Sequence, residues 1–236
     1  MSVAKLGVLV LLAASVAHAP LGAYDIQIEK IAVEASRSRA PEGSPATILR
    51  VQSKNPEQLG VGKLLVASRN LGDPNFAKTV VLLVQYDEGG VVGLILNRRT
   101  DLPVSQVVDG IKAAKDRSDP VYAGGPVDPE VILGLRKSKA KVEGAKPICD
   151  QVYQISTKAQ LEQIFSDRTP ATAIHLYLGY AGWNVEQLKG EMKLGAWFVF
   201  PGDAETVFNS DPDSLWPRMI RKTELQFARN QPADAD

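Results

Sequence analysis

From residue 61 onward the chain is a succession of short apolar runs separated by breaks rich in glycine, proline and charge. GKLLVAS, from Gly62 to Ser68, reads as a strand. TVVLLVQY (Thr79 to Tyr86) and VVGLILN (Val91 to Asn97) are apolar on consecutive residues, the pattern of strands covered on both faces. Asp87, Glu88, Gly89 and Gly90 lie between them and predict the turn of an antiparallel hairpin. LPVSQVVDGI predicts a helix after Pro103, and VYAGGPVDPEVILGLR predicts two short strands joined through a Gly124-Gly125-Pro126 bend. QVYQIS is the next strand. TKAQLEQIF follows as a helix, with Thr157 as N-cap and Gln160 spaced to complete a capping box. TAIHLYL and AWFVF read as two more strands, the latter stopped by Pro201-Gly202-Asp203. DSLWPRMIRK predicts a last helix capped by Asp211 or Asp213, with Pro217 starting a new turn inside it. Hairpins with interspersed helices imply one mixed α/β domain on a largely antiparallel sheet, spanning residues 61–222, with a frayed tail at 223–236. Spacing alone does not give the strand order.

One stretch departs from plain alternation. In HLYLGYAGWNVEQLKGEMKLGAWF, from His175 to Phe198, a knot of glycines and aromatics separates a strand from an amphipathic helix. Asn184 is placed as N-cap with Gln187 to complete a box; Val185, Leu188 and Met192 share a face; Gly195 is placed as C-cap. Two readings stand. The simpler is a tight corner between strand and helix. The other is a ligand site: free amides at a helix N-terminus hold a phosphate or carboxylate, Gly179 and Gly182 allow close approach, and Trp183 stacks on a planar group. No lysine lies in the loop and the GxGxxG spacing is absent, so neither nucleotide-binding motif applies. Gly124 and Gly125 carry the same ambiguity, and the two glycine-bearing bends would face each other across a cleft if they form a site. Asn97 ends an apolar strand, where its amide caps a turn or binds a ligand, the turn being the simpler role. Asp73-Pro74 reads as a turn, and Asp87 and Glu88 as solvated turn residues.

Composition narrows the chemistry. Lys plus Arg and Asp plus Glu both total 27, so the net charge is zero; there is no long basic run and no nucleic-acid partner is expected. Cys149 is the only cysteine and reads as a half-buried small residue, although a lone thiol could pair two chains. His175 is the only histidine outside the first 19 residues, so any nucleophile–base pair built on histidine must use it, and it sits mid-strand on a face with Tyr177. No GxSxG elbow, metal-ligand cluster or cofactor motif is present. The N-terminus adds a compartment. Lys5, the apolar run GVLVLLAASVA and Ala17-His18-Ala19 follow the order of a signal peptide over residues 1–19, and residues 20–60 read as a flexible tether. Pro20 is a poor neighbour for cleavage, and an uncut segment would anchor the chain, though the run is short for a span. The expected location is periplasmic or secreted, with the cytoplasm as the alternative.

GKLLVASRNLGDPNFAKTVVLLVQYDEGGVVGLILNR, then YAGGPVDPE, GYAGWNVEQLKGEMKLGAWF and DSLWPRMI, resemble in order the AlgH/YqgE family of bacterial proteins over residues 61–222. The resemblance implies an α+β fold: a single compact domain with a curved, largely antiparallel sheet flanked by helices. It supplies no catalytic residues. The family is described largely as uncharacterised, with one branch called a transcriptional regulator. Two features depart from its pattern: the apparent signal and tether, and Arg98-Arg99 where the family has Lys-Pro. The expectation is a non-catalytic, exported binding or regulatory protein that takes a partner protein or a small anionic ligand. Its candidate ligand residues are Asn97, Gly124, Gly125, Gly179, Gly182, Trp183 and Asn184. The alternatives are a cytoplasmic regulator of transcription by family analogy, and a hydrolase-like enzyme whose site would need a cleft joining Asp73, Gly125 and Gly182.

Overall fold

The computed structural model describes residues 58–208 and 211–230; the predicted signal, the tether up to residue 57 and the ending QPADAD lie outside them. Among the described residues ten strands form one curled sheet. They are β1 (Lys63–Ala67), β2 (Val80–Asp87), β3 (Gly90–Ile95), β4 (Arg99–Pro103), β5 (Pro120–Ala123), β6 (Val127–Lys137), β7 (Lys146–Cys149), β8 (Val152–Ile155), β9 (Ile174–Trp183) and β10 (Trp197–Pro201). Hydrogen bonding orders them β10-β1-β2-β3-β9-β6-β8-β7, with β5 joined to β9 and β4 to β5. Every pairing is antiparallel except β5 with β9. The helices are α1 (Val104–Val107), α2 (Lys158–Ser166), α3 (Val185–Lys193), α4 (Ala204–Phe208) and α5 (Pro212–Asn230). None of the described helices is long and apolar enough to cross a membrane.

The expected hairpin forms between β2 and β3, with Asp87 opposite Gly90. Its turn closes on a side chain: the Gly89 amide donates to Asp87 Oδ1 at 2.9 Å. Val80 to Val84 and Gly90 to Ile95 are buried throughout, as runs covered on both faces require. The alternation along β9 and β6 shows what covers them. Tyr177, Leu133 and Leu135 face the main core, where α3 adds Leu188 and Met192 and α5 adds Leu215, Trp216 and Ile220. Ile174, Leu176 and Ile132 face the other way, into a second core closed by Ile164 and Phe165 of α2 with Val104 and Ile111. Thr157 caps α2 through the full box: the Gln160 amide donates to Thr157 Oγ1 at 3.3 Å and Gln160 Oε1 accepts from the Thr157 amide at 3.2 Å.

Elsewhere the elements differ from expectation. The helix predicted after Pro103 stops after the single turn of α1, because Val108 is already extended and Gly110 takes a positive φ of 73°. The strand after the Gly124-Gly125-Pro126 bend is not short: β6 runs for 11 residues. Strand β9 does not stop at Leu178 but continues for 10 residues to Trp183, so the glycine–aromatic knot lies inside a strand and the corner falls at Asn184. At the C-terminal end the Ser214 amide donates to Asp211 Oδ2 at 3.1 Å, which makes Asp211 rather than Asp213 the cap, and α5 runs on past residue 222 to Asn230. It is pinned to β1 where Trp216 Nε1 donates to the Ala67 carbonyl at 2.7 Å. The curl brings the far end of the sheet back over β2, and Lys146 Nζ donates to the Val84 carbonyl at 3.0 Å.

Candidate functional site

The two glycine bends do not face each other across a cleft; they touch. The Gly124 amide donates to the Leu178 carbonyl at 2.7 Å, and its own carbonyl accepts from the Ile95 amide at 2.9 Å. A Cβ on Gly124 would lie 2.3 Å from the Gly179 oxygen, and one on Gly125 would lie 2.1 Å from the Tyr180 carbonyl carbon. Gly179 itself has φ of 66° and sits against the carbonyls of Gly125 and Val127. Glycine here serves a backbone crossing that any side chain would push apart, and it leaves no space for a ligand. Gly182 is paired within the sheet opposite Val92. Asn97 is likewise spent on structure: its Oδ1 accepts from the Val80 amide and its Nδ2 donates to the Lys78 carbonyl, both at 2.9 Å. Asp73 closes a turn by accepting from the Asn75 amide at 2.8 Å. Beside it Arg98 donates to the Pro74 carbonyl at 3.1 Å; burial lowers the Arg98 pKa, against the opposing pull of Asp73.

Trp183 is fully buried and stacks on Phe76 with ring centres 5.2 Å apart, so it presents no face to a ligand. Trp197 packs edge-on against both. The two indole N–H groups share one acceptor, Glu191 Oε2, at 3.2 and 2.8 Å, while Gln187 Nε2 donates to Glu191 Oε1 at 3.1 Å. This clasp explains why the strand before α3 and the strand after it both carry tryptophan, and it draws Gln187 away from the expected capping box. Asn184 alone caps α3, its Oδ1 accepting from the Gln187 amide at 2.6 Å. The helix ends as expected at Gly195, whose amide and that of Ala196 donate to the carbonyls of Met192 and Glu191.

The exposed part of this region is an open groove of about 570 Å³ between the β2–β3 hairpin and the start of α3. Of the candidate residues only Asn184 lines it. The rest of its wall comes from Tyr86, Asp87, Glu88, Gly90, Val185, Glu186 and Lys189. Three acidic residues, Asp87, Glu88 and Glu186, line it against one ammonium, which is tied to Glu186 at 2.8 Å. That hydrogen bond lowers the Glu186 pKa and raises that of Lys189. The α3 amides would attract an anion, but these carboxylates repel one, and the groove's charge suits a cation. Sequence reasoning read Asp87 and Glu88 as solvated turn residues; their acidity was visible, but their approach to Glu186 depends on β3 pairing with β9. A second hollow, lined by Val108, Ile111, Ile132 and Leu161, holds about 20 Å³, room for no more than a water.

The two side chains best suited to nucleophilic or base chemistry lie outside the groove. His175 lies between the rings of Tyr122 and Phe208, at 4.8 and 4.9 Å, and burial lowers its pKa to about 4 despite Asp119. Burial, with help from Asp203 and Asp150, raises the Cys149 pKa to about 11, so its thiol stays protonated near neutrality. Among the described residues no three His, Cys, Asp or Glu side chains are grouped to hold a metal ion.

Comparison with known proteins bears on the whole domain. Residues 64–228 match the profile of the family described as AlgH-like. A UPF0301 protein of Chlorobaculum tepidum is 32% identical over 179 residues, covering 75% of this chain and 94% of its own length. One from Streptomyces avermitilis is 34% identical over 178 residues, covering 73% and 92%. The solution structure of the AlgH protein from Pseudomonas aeruginosa aligns with a TM-score of 0.58 at 24% identity, covering 80% of this chain and 100% of that one. A crystal structure of a Corynebacterium diphtheriae protein gives the same TM-score and identity, covering 74% and 88%. At that identity the structural likenesses speak for the fold.

Proposed function

The chain belongs to the AlgH-like family, and from that membership and the charge of its groove we propose that it is a non-catalytic binding protein that takes a cationic segment of a partner protein. The observation that carries this reading is that Asp87, Glu88 and Glu186 all line one open groove of about 570 Å³. Such a volume lies in the usual range of ligand clefts, and Tyr86 offers a ring on which an ammonium or guanidinium can lie. Two environments support a role without turnover: the Cys149 thiol stays protonated near neutrality, and the His175 imidazole is packed between the rings of Tyr122 and Phe208, away from the groove. We place this binding outside the cytoplasm, on the strength of the signal-like order of residues 1–19.

A lysine- and arginine-rich peptide titrated into the full chain tests the groove. Backbone shifts should concentrate at the β2–β3 hairpin and the first turn of α3, and should vanish in Glu88→Gln/Glu186→Gln. Shifts spread evenly over the surface, or unchanged in that variant, would overturn the reading. Fractionation of native cells with intact-mass measurement tests the location: a form shortened near Ala19 outside the cytoplasm is expected, and a full-length cytoplasmic form would remove that part.

A further inference from the structure

The chain joins the sheet close to the groove. Leu59 is packed in the main core, and the Gly62 amide donates to the Leu83 carbonyl at 2.8 Å. Strands β1 and β2 are antiparallel, with Leu64 opposite Leu82, so the segment that precedes β1 leads toward the hairpin end of β2. Tyr86, where the groove begins, is three residues beyond Leu83, about 10 Å at the usual rise. Lys146 also reaches this end of β2, bonded to the Val84 carbonyl, but lines no part of the groove. Within the groove Lys189 is tied to Glu186, while Asp87 and Glu88 have no ion-pair partner among the described residues. Asp87 Oδ1 accepts from the Gly89 amide and from Gln85 Nε2, which leaves Oδ2 for a further donor. The sequence just before the fold has the opposite charge. Residues 43–56, GSPATILRVQSKNP, bounded by Glu42 and Glu57, hold Arg50 and Lys54 and no acid. Lys54 precedes Gly62 by eight residues and Arg50 by twelve. At about 3.4 Å per extended residue they reach roughly 25 and 40 Å, well past the near end of the groove.

We infer that the groove is occupied by this chain's own segment before β1, with Arg50 and Lys54 set against Asp87 and Glu88, and that a cationic partner binds by displacing it. This rests on the cationic-segment reading of the groove and adds its regulation. Attachment decides the occupant. Exposed charge pairs contribute little one at a time, so a free peptide with two cations would bind weakly. The same two cations, joined to the fold by eight and twelve residues, are present at an effective concentration of order millimolar. A partner must therefore bring more charge than the segment does, and the segment sets a threshold that keeps weakly basic chains out. The contact weakens with salt.

The lysine- and arginine-rich peptide titrated into full-length variants tests this. Arg50→Gln/Lys54→Gln should bind it about tenfold more tightly than the wild type, because a groove filled nine-tenths of the time offers a competitor only a tenth of itself. Without peptide, the same variant should shift the backbone amides of Asp87 to Gly90 and of the first turn of α3. Those shifts should vanish when the change is made in Asp87→Asn/Glu88→Gln, which keeps the side-chain oxygen that closes the hairpin turn. Arg37→Gln/Arg39→Gln removes the same charge further from the fold and should leave the affinity unchanged. Equal affinities for the wild type and Arg50→Gln/Lys54→Gln, an equal gain in Arg37→Gln/Arg39→Gln, or amide shifts that persist without the two acids each overturn the inference. If the affinities are equal and the peptide still binds the groove, only the inference falls. If the peptide binds neither the wild type nor Arg50→Gln/Lys54→Gln, the groove reading falls and the inference with it.

Discussion

At the residue scale, the side chains that looked chemically active are the ones most deeply committed to structure. His175 is the clearest case, and its burial sets a pH dependence. Its pKa is about 4 in the fold against about 6.5 in the unfolded chain. Between those values the unfolded chain binds the extra proton, so stability rises with pH through the window, is fully present above it, and is lost as pH falls toward 4. The loss amounts to about 3 kcal/mol, and urea unfolding across that window should show it in the wild type and not in His175→Leu. The glycines make a second case. Gly125→Ala would force a Cβ into the Tyr180 backbone and should cost about 3 kcal/mol or more. Gly60→Ala, where nothing lies within 4 Å of the added carbon, should change stability by about 0.5 kcal/mol or less. Thermal unfolding of the pair checks this, and equal effects would show that the crossing of β9 over the Gly124-Gly125 bend is not tight.

At the element scale, what was legible in the sequence was what local hydrogen bonding decides. The β2–β3 hairpin, the Thr157 capping box, the Asn184 cap and the Gly195 stop are each written within a few residues, and each formed. The elements that were missed depend on distant partners. Strand β4 is RTDLP and mostly exposed, and β7 is four residues containing a proline; neither has the apolar run that marks a buried strand, and pairing alone makes them strands. The knot in β9 misled because glycines at 179 and 182 look like a turn when their use is a backbone crossing and a strand pairing. The groove was not legible for the same reason, since its acids come from two segments that only the sheet brings together. Helix α3 offers a test in both directions. Asn184→Ala removes the one side-chain cap and should cost about 1 kcal/mol. Gly190→Ala fills open space in the helix interior and should add about 0.5–1 kcal/mol. Denaturant midpoints moving in opposite directions are the expected outcome.

At the scale of the whole molecule, one strand organises everything else. Strand β9 pairs with β3, β5 and β6, and β10 pairs with β1, so the last two strands close the sheet that the first ones open. This order has a consequence for how the chain is made. When a ribosome has released the chain only as far as Lys137, β3, β5 and β6 have all been synthesised and their shared partner has not. The first strand can pair with β2 at once, but its other edge stays open until β10 emerges. The early segment can form the β1–β2–β3 meander and little more, because contacts so distant in sequence are reached late and slowly. Its apolar strands therefore remain open to water, or to a holding chaperone, throughout most of synthesis. A chain that cannot lock itself shut before its final third is finished stays threadable for as long as it is being made.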